Sequence, residues 1–170
     1  IGGAVVSKKI KTFLRNSKPK HHWRIGADFP EMNTYSCLSC SLEMTPEKFF
    51  QGLNQLKIEV NKLNYSGLWK KQDILAKDKI PGVIKELKSL SDLLVFYNLF
   101  DYLTDNCVLH MANSSVVRYC QLFDPIKTVR YESNRGTSGI DGSTSTAIGA
   151  AIANPSKIHY FISGETSFIY

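Results

Sequence analysis

Three apolar runs of strand length, each followed by a stretch that reads as a helix or a polar turn, constrain this chain more than any other feature. Cys107-Val-Leu-His-Met-Ala112 leads into Asn113-Ser-Ser-Val-Val-Arg-Tyr-Cys-Gln-Leu-Phe123. Lys127-Thr-Val-Arg-Tyr-Glu-Ser133 leads into a glycine-rich turn and then the small-residue segment Ser143-Thr-Ser-Thr-Ala-Ile-Gly-Ala-Ala. Lys157-Ile-His-Tyr-Phe-Ile-Ser163 leads into Gly164-Glu-Thr-Ser167. Strands separated by helical segments predict βαβ units, and hence an α/β fold with a parallel sheet and flanking helices. His159 falls inside the third run and reads as structural.

The earlier part of the chain is less regular. Its first residues resemble the end of a strand, and Ile10, Phe13 and Leu14 share one face of a short helix that stops before Pro19. His-Trp-Arg-Ile-Gly-Ala-Asp over 22–28 reads as a strand. Thr45, Pro46 and Glu47 mark a helix start, with Phe49, Phe50, Leu53 and Leu56 as its expected core face. From Lys57 to Leu90 the chain turns polar and lysine-rich, with Asn-Tyr-Ser-Gly and Ile-Pro-Gly as expected breakers, which puts a domain boundary near Ser66. Ser91 caps a further helix whose stripe of Leu93, Phe96, Tyr97, Phe100 and Leu103 reads as core.

Composition narrows the possible roles. No apolar run approaches the length that spans a bilayer, and no signal peptide is visible. The net charge of +6 favours anionic partners. The lysines are scattered rather than gathered into one stripe with aromatics, which argues against nucleic acid. Cys37 and Cys40 have the spacing of half a zinc or redox site, but no second pair follows. The four cysteines therefore read as small buried hydrophobes in a reducing compartment. His21 and His22 read as surface or packing residues.

In an open parallel sheet, ligands bind outside the carboxyl ends of the strands. Here those ends carry Asn113-Ser114-Ser115 with Arg118 one turn on, then Asn134-Arg135-Gly136-Thr137-Ser138-Gly139, then Gly164-Glu165-Thr166-Ser167. Gly136, Gly139 and Gly142 allow positive φ or a close approach of backbone N–H groups to oxygen ligands. The forked guanidinium groups of Arg118 and Arg135 suit carboxylate or phosphate. Glu165, among hydroxyls, suits Mg²⁺ on a phosphate. The residues themselves point to an anion-binding edge whose ligand stays open.

Taken together, NSSVVRYCQLF, SNRGTSGIDGSTSTAIGAA and SGETSFIY resemble the diphosphate-binding domain of thiamine-diphosphate enzymes. The resemblance is to the MenD-type synthases of menaquinone biosynthesis, which form 2-succinyl-5-enolpyruvyl-6-hydroxy-3-cyclohexene-1-carboxylate, and GGAVVSKKIKTFLRNSKPKHHW resembles their middle domain. It implies that residues 1–66 are the C-terminal part of that central domain and 67–170 the N-terminal part of the diphosphate domain. It also implies a cytoplasmic carboligase of the transferase class. Such an enzyme decarboxylates 2-oxoglutarate and adds the resulting succinyl carbanion to isochorismate, with thiamine diphosphate and Mg²⁺ or Mn²⁺ as cofactors.

Under this resemblance Lys8, Ser114, Arg118 and Arg135 match substrate-binding positions. Ser138, Ile140, Gly164, Thr166 and Ser167 match cofactor-binding positions, with Ile140 the apolar wedge under the bent cofactor. Glu165 matches the first metal-ligating acid, where the family usually has Asp. The second metal ligand and the glutamate that activates the cofactor are expected outside this chain, in a parent that is a homodimer or homotetramer. No catalytic residue is therefore expected within the chain, and it is expected to be inactive alone. A non-catalytic anion- or nucleotide-binding α/β module, or a basic interaction domain, are the readings against which this one stands.

Overall fold

The computed structural model describes residues 5–29, 31–56 and 64–170, and these fall into two compact units divided between Leu63 and Asn64. The strand-like start of the chain and the lysine-rich residues 57–63 lie outside the described residues.

In the first unit, helix α1 (Lys8–Ser17) is capped by Ser7, whose hydroxyl accepts from the Ile10 amide, and closes on Lys18 in the left-handed conformation. Strands β1 (Trp23–Ile25) and β2 (Cys40–Leu42) form a parallel pair in which Trp23 lies opposite Cys40. Helix α2 (Pro46–Gln55) starts as the sequence predicts, with Thr45 accepting from the Lys48 amide and Pro46 in the first turn. Its expected core face is not buried: Phe50 is 47% and Leu56 63% exposed, and Leu56 lies past the helix. A two-stranded sheet and two helices offer too little apolar surface to cover it, and Ile25 is the one buried hydrophobic residue among those described in this unit.

The second unit opens on α3 (Tyr65–Glu86), where the sequence predicted an interrupted polar stretch. Asn64 caps it, and Pro81 sits inside it rather than ending it. Proline keeps a helical φ and forfeits one backbone hydrogen bond, and on this largely exposed helix water can satisfy the freed carbonyl. Helix α4 (Asp92–Leu99), capped by Ser91, continues into a 3₁₀ turn (Phe100–Tyr102).

From there the predicted alternation holds. Strand β3 (Val108–Met111), helix α5 (Ser115–Cys120), strand β4 (Arg130–Glu132), helix α6 (Ser143–Ala153), strand β5 (His159–Ile162) and helix α7 (Glu165–Ile169) follow in order. The sheet order is β4-β3-β5, both pairings parallel, with Val108 opposite Arg130 on one side and His159 on the other. The chain is thus α/β, with two small parallel sheets and flanking helices.

Period-two alternation divides the faces of the larger sheet. Leu109, Met111, Tyr131, Tyr160 and Ile162 meet a core of Phe96, Val116, Cys120 and Val129. The Phe96 ring stacks on Tyr119, and Phe100 on Tyr131. The opposite face presents Val108, His110, Glu132, His159 and Phe161 toward small residues of α6 around a cavity of about 370 Å³. There the His110 and His159 rings stack, with Nε2 of one 2.9 Å from Nδ1 of the other. His159 lies in β5, as its place in the third run predicts.

All four cysteines are free thiols. Cys107 and Cys120 are core residues, and burial pushes the Cys120 thiol up to about 11. Cys37 and Cys40 are only half-buried, a departure from the expectation that all four are core, and Cys37 Sγ lies 3.6 Å from His22 Nδ1.

Candidate functional site

Because β3, β4 and β5 all run the same way, the loops that follow them open on one edge of the sheet. Ser114, Arg135 and Glu165 therefore share one rim, with the β3 loop in the middle.

Ser114 sits in the N-cap position of α5 but caps nothing. Its backbone takes φ 74° and ψ −124°, and its exposed hydroxyl makes no hydrogen bond to α5. A non-glycine residue at such a φ is uncommon, and strain of this kind collects at binding loops. Arg118 follows four residues later, within α5. It is exposed, with no hydrogen-bond or ion-pair partner among the described residues.

Gly142, with φ 71°, turns the loop between β4 and α6 into its helix, whereas Gly136 and Gly139 do not take positive φ. Ser138 does, at φ 62°, and its hydroxyl donates to the Arg135 carbonyl at 3.1 Å. Arg135 is half-buried. Its Nη1 donates to Asn113 Oδ1 at 2.7 Å, while its Nε is buried without any partner. A guanidinium nitrogen buried without a partner is an unsatisfied donor, costly until something accepts from it. Ile140 is 38% exposed on this polar rim, its carbonyl held by the Ser167 hydroxyl at 2.5 Å.

The third segment is the start of the short helix α7 rather than an open loop. Glu165 and Thr166 are exposed, Glu165 with no ion pair among the described residues, and a side chain at Gly164 would meet open space. Ser167 is buried and its hydroxyl is committed to Ile140, so that side chain faces the neighbouring loop. Among the described residues, no three His, Cys, Asp or Glu side chains converge as a metal site, so Glu165 stands as a single acid. Lys8 lies in the other unit, at the first position of α1.

Sequence reasoning placed Asn113 only within the polar group Asn113-Ser114-Ser115 at the end of the first strand, as a possible helix cap. It is instead 3% exposed and bonded across to the second loop. The one available signal was its position, directly after the central strand of a rim.

A parallel α/β sheet with this rim defines the class: it is consistent with part of a thiamine-diphosphate-binding fold. Comparison with known proteins makes the assignment particular. The chain is 41% identical over 169 residues to 2-succinyl-5-enolpyruvyl-6-hydroxy-3-cyclohexene-1-carboxylate synthase of Flavobacterium johnsoniae, covering 99% of this chain and 30% of that protein. The synthases of the same name from Phocaeicola vulgatus and Bacteroides thetaiotaomicron are 38% and 36% identical, again over 99% of this chain and 29% of theirs. No family model matches the chain. It belongs to this synthase family as a segment, spanning about 30% of the length of the curated relatives it matches.

Proposed function

We propose that the chain is the substrate-carboxylate and diphosphate side of a thiamine-diphosphate-dependent synthase, a carboligase of the transferase class in menaquinone biosynthesis. The substrates are 2-oxoglutarate and isochorismate. The parent is a cytoplasmic homodimer or homotetramer, and residues 1–66 and 67–170 are pieces of its central and diphosphate-binding domains. Among the described residues no helix is long and apolar enough to cross a membrane.

The observation that carries this reading is the rim itself. Three parallel strands deliver Ser114, Arg135 and Glu165 to one edge, and Arg135 keeps a buried donor unpaired there. The residues present fit the cofactor in two respects. Ile140 offers exposed apolar surface on an otherwise polar rim, as a wedge under two rings requires. Glu165 offers an unpaired carboxylate beside the Thr166 hydroxyl and the open space at Gly164, which suits a hard divalent cation, Mg²⁺ or Mn²⁺, on a diphosphate. When bound, thiamine diphosphate supplies an electron sink for the decarboxylation.

The chain's own side chains bind and orient. Arg135 and Arg118 hold substrate carboxylates, and the Ser114 hydroxyl adds a neutral hydrogen bond beside them. Ser167 holds the Ile140 carbonyl, and Ser138 braces the turn at Arg135. Lys8, in the other unit, is included as a substrate-binding residue on the family resemblance alone. Glu165 is one methylene longer than the usual aspartate, and near-octahedral Mg²⁺ is sensitive to that reach.

The test is turnover of 2-oxoglutarate and isochorismate by the full-length protein that carries this chain, with thiamine diphosphate and Mg²⁺. Product formation that stops on chelation and returns with metal is expected, with no turnover by the 170-residue chain alone. Tight cofactor-independent binding of a nucleotide, without turnover, would favour a non-catalytic module instead.

A further inference from the structure

Asn113 is the residue on which two of the rim loops are built. It directly precedes Ser114 at the end of the central strand, and its side chain uses both ends of its amide. Nδ2 donates to the Asn134 carbonyl at 2.8 Å and to the Gly139 carbonyl at 2.6 Å. Oδ1 accepts from Arg135 Nη1 at 2.7 Å. One buried amide thus pins the β4–α6 loop at two points on either side of Arg135 and Ser138, and holds the guanidinium itself.

We propose that Asn113 is a positioning residue for Arg135, orienting its guanidinium toward a substrate carboxylate while leaving its charge intact. This rests on the proposed function for the identity of the substrate. The chemistry explains why an amide stands here. The position needs a donor for two carbonyls and an acceptor for an arginine at once, and Asn supplies both without a charge. An aspartate of the same size would turn an oxygen toward two carbonyl oxygens. It would also form an ion pair that neutralises the cation the substrate needs. The unpaired Nε and the pinned Nη1 belong to the same group, so the strut leaves Arg135 oriented but unspent.

The experiment uses the full-length protein with Asn113→Asp, Arg135→Gln and the double variant. Asn113→Asp is expected to raise the KM for 2-oxoglutarate or isochorismate by roughly tenfold or more, with kcat changing less. In the Arg135→Gln background the same change is expected to shift that KM several-fold less, because only its effect on the two loop carbonyls remains. Equal effects in both backgrounds would overturn the proposal. A second measurement needs no variant: in the wild-type chain, nitrogen-15 NMR should show slowed rotation about the Cζ–Nη1 bond of Arg135 and free rotation for exposed Arg118. Equal, fast rotation in both would also overturn it. Absence of wild-type turnover would instead remove the proposed function, and the NMR result would still decide the placement of Asn113.

Discussion

Arg118 and Arg135 carry the same charge in different surroundings. Arg118 is exposed on α5 with no partner among the described residues, so a carboxylate held there stays close to water and its pairing is screened. Arg135 is half-buried, pinned by Asn113, and keeps a buried Nε without a partner. Removing it deletes a desolvated donor pair and also leaves Asn113 Oδ1 without its partner. Replacement of Arg135 by Gln in the full-length protein is therefore expected to cost about 2–4 kcal/mol of transition-state binding, roughly 30- to 1000-fold in kcat/KM. Arg118→Gln should cost about 1 kcal/mol or less. Steady-state kinetics at moderate salt would check the ranking, and an equal or reversed order would contradict it.

The strands and helices impose a pH dependence of their own. His110 lies at 5% exposure on β3 with its ring against His159 on β5, and Glu132 and Arg130 on β4 are the charged groups around it. Burial first, and the neighbouring His159 second, hold the His110 imidazole below its ordinary value. The unfolded chain therefore takes up a proton at higher pH than the folded one does. Stability from this group is complete above about pH 6.5 and is lost as pH falls through that value toward the lower folded one. The melting temperature of the chain should fall between pH 7.5 and 5.5, and His110→Gln should flatten that fall. A profile unchanged by the substitution would contradict it. These strands were legible in the sequence because an apolar run of four to seven residues between turn residues has few other readings. Helix α3 was not, because its apolar residues Tyr65, Leu68, Trp69 and Ile74 stay exposed and Pro81 reads as a stop. The rim residues Ser114, Arg135 and Glu165 were legible from strand direction alone. Asn113 was hidden because an asparagine after a strand reads as a helix cap, and only the fold shows its amide turned sideways into the next loop. The positive φ at Ser138 was hidden for a similar reason, since the surrounding glycines drew the expectation.

At the scale of the whole molecule, the two units contribute unequally. The second holds the three-stranded sheet, nearly all of the buried hydrophobic residues among those described, and the rim; the first holds Lys8 on a helix with no buried residue. A net charge of +6 suits a protein whose proposed substrates and cofactor are all anionic. The central claim is that cofactor and metal sit at the carboxyl edge of the parallel sheet. A distance measured by pulsed electron resonance tests it most directly, between Mn²⁺ in the loaded full-length protein and a nitroxide on a cysteine introduced at one of two places. Gly136 has open space for a side chain on the rim, and Lys157 lies exposed before β5 at the opposite edge. A four-residue strand spans roughly 13 Å. The label at position 136 should therefore lie closer to the metal than the label at 157, by on the order of 10 Å; equal distances, or the shorter one at 157, would contradict the account.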